Sequence, residues 1–323
     1  MIESLTVLFA TFALAAAPVP VQDPAQDPPP IQLEDVEVTA RAQADKARAF
    51  VGRIAAPARG RGLGRWRAIC PGVANLDRAA GQAIVDRIAT RAVELGIEVE
   101  APGCEANIIV IFTVDAGAVT RALVEAEPRV FRHGGNGIDQ GTAALRRFQA
   151  SERPIRWWSL SVPIDSQTGQ RAVRVPGDRA GGPVDARTAQ LLMCNPSDCA
   201  FAGVPIISSA GGASMLNSQI VDQIYKSIVI VDIDAVSGLN AAQLGDYLAM
   251  VTLAQVDPEA DTGPFDTVLN LFDNPPAVPG MTEWDQSYLS ALYSSPSRRR
   301  SAGAQGEAVA AIMNRTAMAE PVE

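Results

Sequence analysis

At 323 residues, with 36 acidic and 27 basic side chains, the chain carries a formal net charge of −9, and 47% of its residues are hydrophobic. This composition is that of a globular chain with enough apolar content for a real core, and it argues against nucleic acid as a partner because the overall field repels phosphate backbones. Nearly all the basic residues are arginine, and the one basic run, Arg298-Arg299-Arg300, reads as a solvated tail.

The first informative segment is Leu5 to Ala17, LTVLFATFALAAA, an apolar run that ends in small residues and breaks into PVPVQDPAQDPPP. Too short to span a bilayer and flanked by prolines, it predicts a signal peptide over 1–17 with cleavage near Ala15 to Ala17, although Glu3 stands where a basic residue is expected. The expected location is periplasmic or secreted, with no membrane span left after cleavage. Residues 18–60 read as a proline-rich linker followed by a surface helix. Within it, DVEVTAR resembles the short energy-coupling box of TonB-dependent outer-membrane receptors, which implies an extended segment that binds by strand addition; no plug or barrel follows.

A single domain over 61–295 is expected next. GRGLGRW at 60–66 lacks the preceding strand and following helix that a phosphate-cradling loop requires. Leu76 to Leu95 carries Ile84, Ile88 and Leu95 at helical spacing and is closed by Gly96, while NIIVIFTV from Asn107 is the near-continuous apolar run of a central strand. Gly117 to Glu127 and Ala143 to Phe148 read as helices. PIRWWSLSVPID, DSQTGQ and RAVRV read as a hairpin whose strand turns Trp157 and Trp158 to opposite faces. IVIVDID from Ile228 is the second strong strand, and Asn240 opens a helix that runs toward Pro258. Thr282-Glu-Trp-Asp has the form of a capping box ahead of Tyr288, Leu289 and Leu292. Residues 296–323 read as a loose tail with at most a weak terminal helix. The fold class is therefore α/β (α+β), a mixed central sheet with flanking helices.

Four cysteines in an exported chain imply two disulfides. If the elements around 66–100 form a right-handed βαβ unit, both strand ends lie at one sheet edge, which predicts Cys70–Cys104 and leaves Cys194–Cys199 across the NPSD turn. A zinc site is disfavoured, because only one Cys pair has local spacing and the single histidine, His133, lies far from it. His133 also has no acid placed to orient it, and no G-x-S-x-G elbow occurs, so Ser-His chemistry is disfavoured as well. No cofactor is expected. Asp232 and Asp234 fall on one face of a strand end, and Asp115 sits at another strand end; together the three are the candidate ligands of a divalent cation, the basis of an alternative reading as a metal-dependent hydrolase.

The blocks IVIVDID, GDYLAMVTLAQVDP, FDTVLNLFDNP and MTEWDQSYLSALY resemble, in order, the strand, active-site helix, turn and following helix of metzincin-like zinc peptidases; their ending is also similar to a group of exported bacterial proteins. The resemblance spans about 65 residues and departs where it matters, because two histidines a helical turn apart are needed to grip zinc. Asp246, Tyr247 and Met250 stand at the approximate positions, Leu269 replaces the methionine of the turn, and no histidine lies near Asp257. What the resemblance implies is a degenerate, metal-free, zincin-like scaffold. It would be a non-catalytic protein that binds an envelope protein or peptide in a groove beside the helix at 240–256, marked by Asp246, Tyr247 and Met250.

Overall fold

Three parallel strands and one antiparallel edge strand form the central sheet of the computed structural model, which describes residues 33–131, 139–169, 171–172, 217–299 and 301–319. The signal-peptide segment, His133, Cys194 and Cys199 lie outside the described residues. By its internal contacts the chain divides after Thr39, and the body described here is 40–323. Its first element is the helix α1 (Leu33–Ile54), counted from Ala40 onward.

β1 (Ala68–Ile69) and β2 (Pro71–Ala74) are separated by Cys70 and lead into α2 (Arg78–Glu94). Asp77 caps α2 by accepting from the backbone N–H groups of Ala79 and Ala80, which sets the start two residues later than the apolar pattern alone suggests. Gly96, with φ of +74°, carries the chain out of the helix in a conformation that favours glycine. β3 (Glu98–Val99) pairs in parallel with β1, and β4 (Ile108–Thr113) pairs in parallel with β2. This is the expected crossover, and it brings the two strand ends together: Cys70 and Cys104 are bonded, with their Cα atoms 6.1 Å apart. Asn107 braces the junction, its Oδ1 accepting from the Cys70 N–H and its Nδ2 donating to the Ala68 carbonyl.

α3 (Ala116–Ala126), the short α4 (Pro128–Phe131) and α5 (Thr142–Ala150) follow, then β5 (Ile155–Asp165) and β6 (Ile220–Asp232). The sheet order is β2-β4-β6-β5, with β4 and β6 parallel and β5 antiparallel to β6. Of the return arm expected at 171–175, residues 173–175 lie outside the described residues; Arg171 makes an antiparallel bridge to Ile164, and β5 pairs along its length with β6, which begins eight residues before the apolar run. Asp222, Gln223 and Lys226 gave that first half of β6 a polar look, although Ile224 between them is buried.

The two faces of the sheet carry separate cores. Phe112, Trp157, Val229 and Val231 point toward Ile84 and Ile88 of α2 and toward α6 (Ala241–Leu253); Trp158, Leu160, Ile228 and Ile230 point toward α3 and α5. Each tryptophan of the adjacent pair is thus covered, Trp158 by Phe148 of α5 with ring centroids 5.7 Å apart, so neither is a ligand platform. α6 is closed at its start by a reciprocal capping box between Asn240 and Gln243. Asn240→Ala should lower stability by about 1 kcal/mol, read as a shift of the urea midpoint without a change of slope.

α7 (Glu283–Ser294) opens with the expected box, Thr282 and Asp285. Two assignments at the edges of the domain are corrected. Residues 302–319, expected loose, form α8 (Ala302–Ala319), whose Val309, Ala310 and Met313 are buried; Gln305 ties its start to the carbonyls of Ser297 and Arg299 and to the N–H of Leu63. Nor is α1 a surface helix: Phe50, Val51 and Ile54 are buried, and Phe50 packs edge-on against Phe265, Trp284 and Tyr288. The DVEVTAR segment lies within this helix rather than in an extended stretch.

Candidate functional site

The three residues expected to mark a groove on α6 have three separate surroundings. Met250 is fully buried in the larger core, as are its neighbours from Leu248 to Leu253, so the groove expected along this helix is filled by the chain's own side chains. The physical reason is that α6 is buried on every side from Gln243 to Leu253, which suits a helix packed between a sheet and further helices.

Asp246 is 1% exposed and belongs to an ion cluster. Its two carboxylate oxygens accept from Arg87 Nε and Nη2 at 2.7 and 2.6 Å and from Arg91 Nε and Nη2 at 2.9 and 3.2 Å. The backbone N–H of Met281 donates as well, at 2.9 Å. Burial pushes this carboxyl up, yet the donated hydrogen bonds outweigh that and hold it below the usual carboxylate range. Two glycines make the approach possible: a Cβ on Gly245 would lie 2.7 Å from Arg87 Cγ, and one on Gly280 would lie 2.6 Å from Asp246 Oδ2. Asp246 therefore joins α2, α6 and the segment before α7, and is not free to meet a ligand.

Tyr247 faces elsewhere. It is 3% exposed, packs edge-on against Trp157 and Phe272 with centroids 6.2 and 5.1 Å away, and lines a pocket of about 220 Å³. The pocket is built from the start of β5, where Arg153, Pro154 and Ile155 lie, and from the chain that follows α6. That chain supplies Thr262, Leu269, Phe272 and Asp273. Asn270 fixes it by donating from Nδ2 to the carbonyls of Thr262 and Phe265 and by accepting from the Thr262 hydroxyl. Burial pushes the Tyr247 hydroxyl well above its ordinary value, Arg153 pulls it down and Asp273 pushes it up, so it stays protonated at physiological pH. Among the described residues this hydroxyl has no hydrogen-bond partner.

The pocket joins two positions named in the sequence analysis, Tyr247 on α6 and Leu269 in the chain that follows it. Sequence reading did not find Arg153, Phe272 or Asp273. These come from segments far apart in the chain, and nothing in their local spacing marks them.

At the carboxyl edge of the sheet, Asp232 of β6 is paired in register with Thr113 of β4, so Asp115 and Asp232 are brought to neighbouring strand ends as a shared cation site requires. Their oxygens are engaged separately. Asp115 caps α3 by accepting from the Ala118 N–H at 2.7 Å, Asp232 accepts from the Ala235 N–H at 3.3 Å, and Asp234 is exposed. The cation near this edge is Arg156, a buried guanidinium whose Nε donates to the Ser151 carbonyl. Burial lowers its pKa, against the fields of Asp232 and Asp115. Among the described residues no group of three or more His, Cys, Asp or Glu side chains is placed to hold a metal ion, so Asp115, Asp232 and Asp234 do not converge on a shared cation site.

No family model, curated protein or solved structure matches the chain. Among the described residues no helix is long and apolar enough to cross a membrane.

Proposed function

We propose that this chain is a non-catalytic binding protein of the cell envelope or the exterior, and that it holds a protein or peptide partner at the pocket over Tyr247. The observation that carries the reading is the pocket itself: with the groove along Leu248 to Leu253 filled, the open space beside α6 is the pocket that Tyr247 and Leu269 line. The order β6, α6, turn and α7 is the one the resemblance implies and supports the same reading. Export is supported by the Cys70–Cys104 disulfide, since such bonds persist in oxidising compartments. The pocket's groups suit recognition: a phenol held protonated can donate or accept a hydrogen bond but is a poor base, and Asp246, next to it in sequence, is occupied by two arginines.

The test is an array of hexapeptides varied at one position, followed by calorimetric titration of the binders against wild type and Leu269→Trp, which fills the pocket. Wild type should bind a subset and return it uncut by mass spectrometry, and the filled variant should bind that subset about tenfold more weakly or worse. Hydrolysis of the peptides, or equal binding by the filled variant, would overturn the proposal.

A further inference from the structure

Resting on the pocket reading above, we infer that the side chain received over Tyr247 is basic, a lysine or arginine of the partner. The size sets the first limit. At about 220 Å³ the cavity is smaller than the roughly 300 Å³ at which pockets for drug-sized ligands begin, so it has room for one long side chain rather than a compact small molecule.

Charge sets the second. Arg153, at the mouth, is 3.6 Å from Glu259, and Asp261 is 3.5 Å from Arg53. Asp273 is the third charged residue of the lining, and among the described residues its carboxylate has no ion partner and accepts no hydrogen bond. The mouth and its immediate partners thus hold two guanidinium groups against three carboxylates, leaving one negative charge for an incoming cation to meet.

The walls set the third. Leu269 and Ala260, both partly exposed, offer apolar surface for an alkyl stem, and the rings of Phe272 and Tyr247 stand where a cationic head can lie against them. The Tyr247 oxygen, free of partners, can accept a hydrogen bond from an ammonium or guanidinium N–H. A net charge of −9 on the whole chain adds attraction for a basic partner at long range.

The experiment titrates the full chain with capped tetrapeptides that differ at one position, carrying lysine, arginine, norleucine or glutamate, in wild type, Asp273→Asn and Leu269→Trp. Lysine and arginine peptides should bind, norleucine should bind roughly tenfold more weakly than lysine, and glutamate should bind weakest of all. Asp273→Asn should bring the lysine peptide down to the norleucine level while leaving norleucine unchanged, and added salt should weaken only the basic peptides. Equal binding of lysine and norleucine, with both lost in Leu269→Trp, would overturn the basic specificity and leave the pocket standing. Indifference of every peptide to Leu269→Trp would overturn the pocket reading itself.

Discussion

Replacing Asp246 with alanine is expected to cost about 3–5 kcal/mol of stability, the range seen when one partner of a buried ion pair is removed. The carboxylate is almost wholly enclosed and takes donors from two segments, Arg87 and Arg91 of α2 and the Met281 N–H before α7. Its loss leaves the Met281 N–H without an acceptor and Arg91, only 13% exposed, without its main counter-charge. Arg87, whose side chain is 35% exposed, can recover water, so Arg87→Ala should cost clearly less. Asp246→Asn, of nearly the same volume, separates charge from packing and should fall between the two. Urea unfolding at neutral pH measures all three.

The same carboxylate makes a pH prediction with a definite sign. Its folded-state pKa is held below the ordinary carboxylate value, so the stability it contributes is fully present above that ordinary value, near 4. It is lost as pH falls from there through the depressed folded value. Asp246→Asn should lack this part of the acid dependence, and wild type and variant should converge in stability as the pH is lowered. Tyr247 is the next residue on the same helix, so a displaced α6 should also weaken peptide binding at the pocket.

The elements read correctly from sequence are those whose signals are local. β4 announces itself as an apolar run, α6 and α7 by their capping residues, and the Cys70–Cys104 bond by the strand–helix–strand order between its ends. The misread elements depend on distant partners. α1 places Phe50 beneath Phe265, Trp284 and Tyr288, residues more than 200 positions away, and nothing near Phe50 shows that they converge there. α8 is alanine-rich with a weak apolar stripe, and it gains its place by burying Val309 and Met313 and by the anchoring of Gln305.

The site divides in the same way. Asp246 in the apolar stretch LGDYLAMV reads from sequence as a groove marker, whereas a carboxylate buried there needs a counter-charge, which Arg87 and Arg91, four apart on α2, supply. A link between the two helices was not legible without the fold. Tyr247 and Leu269 could be marked through a resemblance, whereas the charges that shape the pocket mouth, Arg153 and Asp273, lie 120 residues apart and meet only once β5 and the chain after α6 are in place.

The second large effect is expected from the disulfide. Cys70 and Cys104 are 34 residues apart in sequence, and closing a loop of that size in the unfolded chain is worth on the order of 4 kcal/mol in the chain-entropy account. A Cys70→Ser, Cys104→Ser double variant should lose about that much relative to the oxidised protein, and wild type in dithiothreitol should lose at least as much, while the variant responds to the reductant only through the bond expected between Cys194 and Cys199. The closed loop contains β2, α2 and β3, and therefore both Arg87 and Arg91. α2 is held in two ways, by the covalent closure that restricts its loop and by the ion cluster that fastens Arg87 and Arg91 to Asp246. Once the closure is cut, separation of α2 from α6 is opposed mainly by Ile84, Ile88 and that cluster. Removing Asp246 in the reduced protein should then cost a different amount from removing it in the oxidised protein, with a coupling of about 0.5 kcal/mol or more in the double-mutant cycle. Strict additivity would mean that the loop and the cluster stabilise independent parts of the fold. Coupling would make α2 the element through which the redox state of the compartment reaches α6, the helix that carries Tyr247.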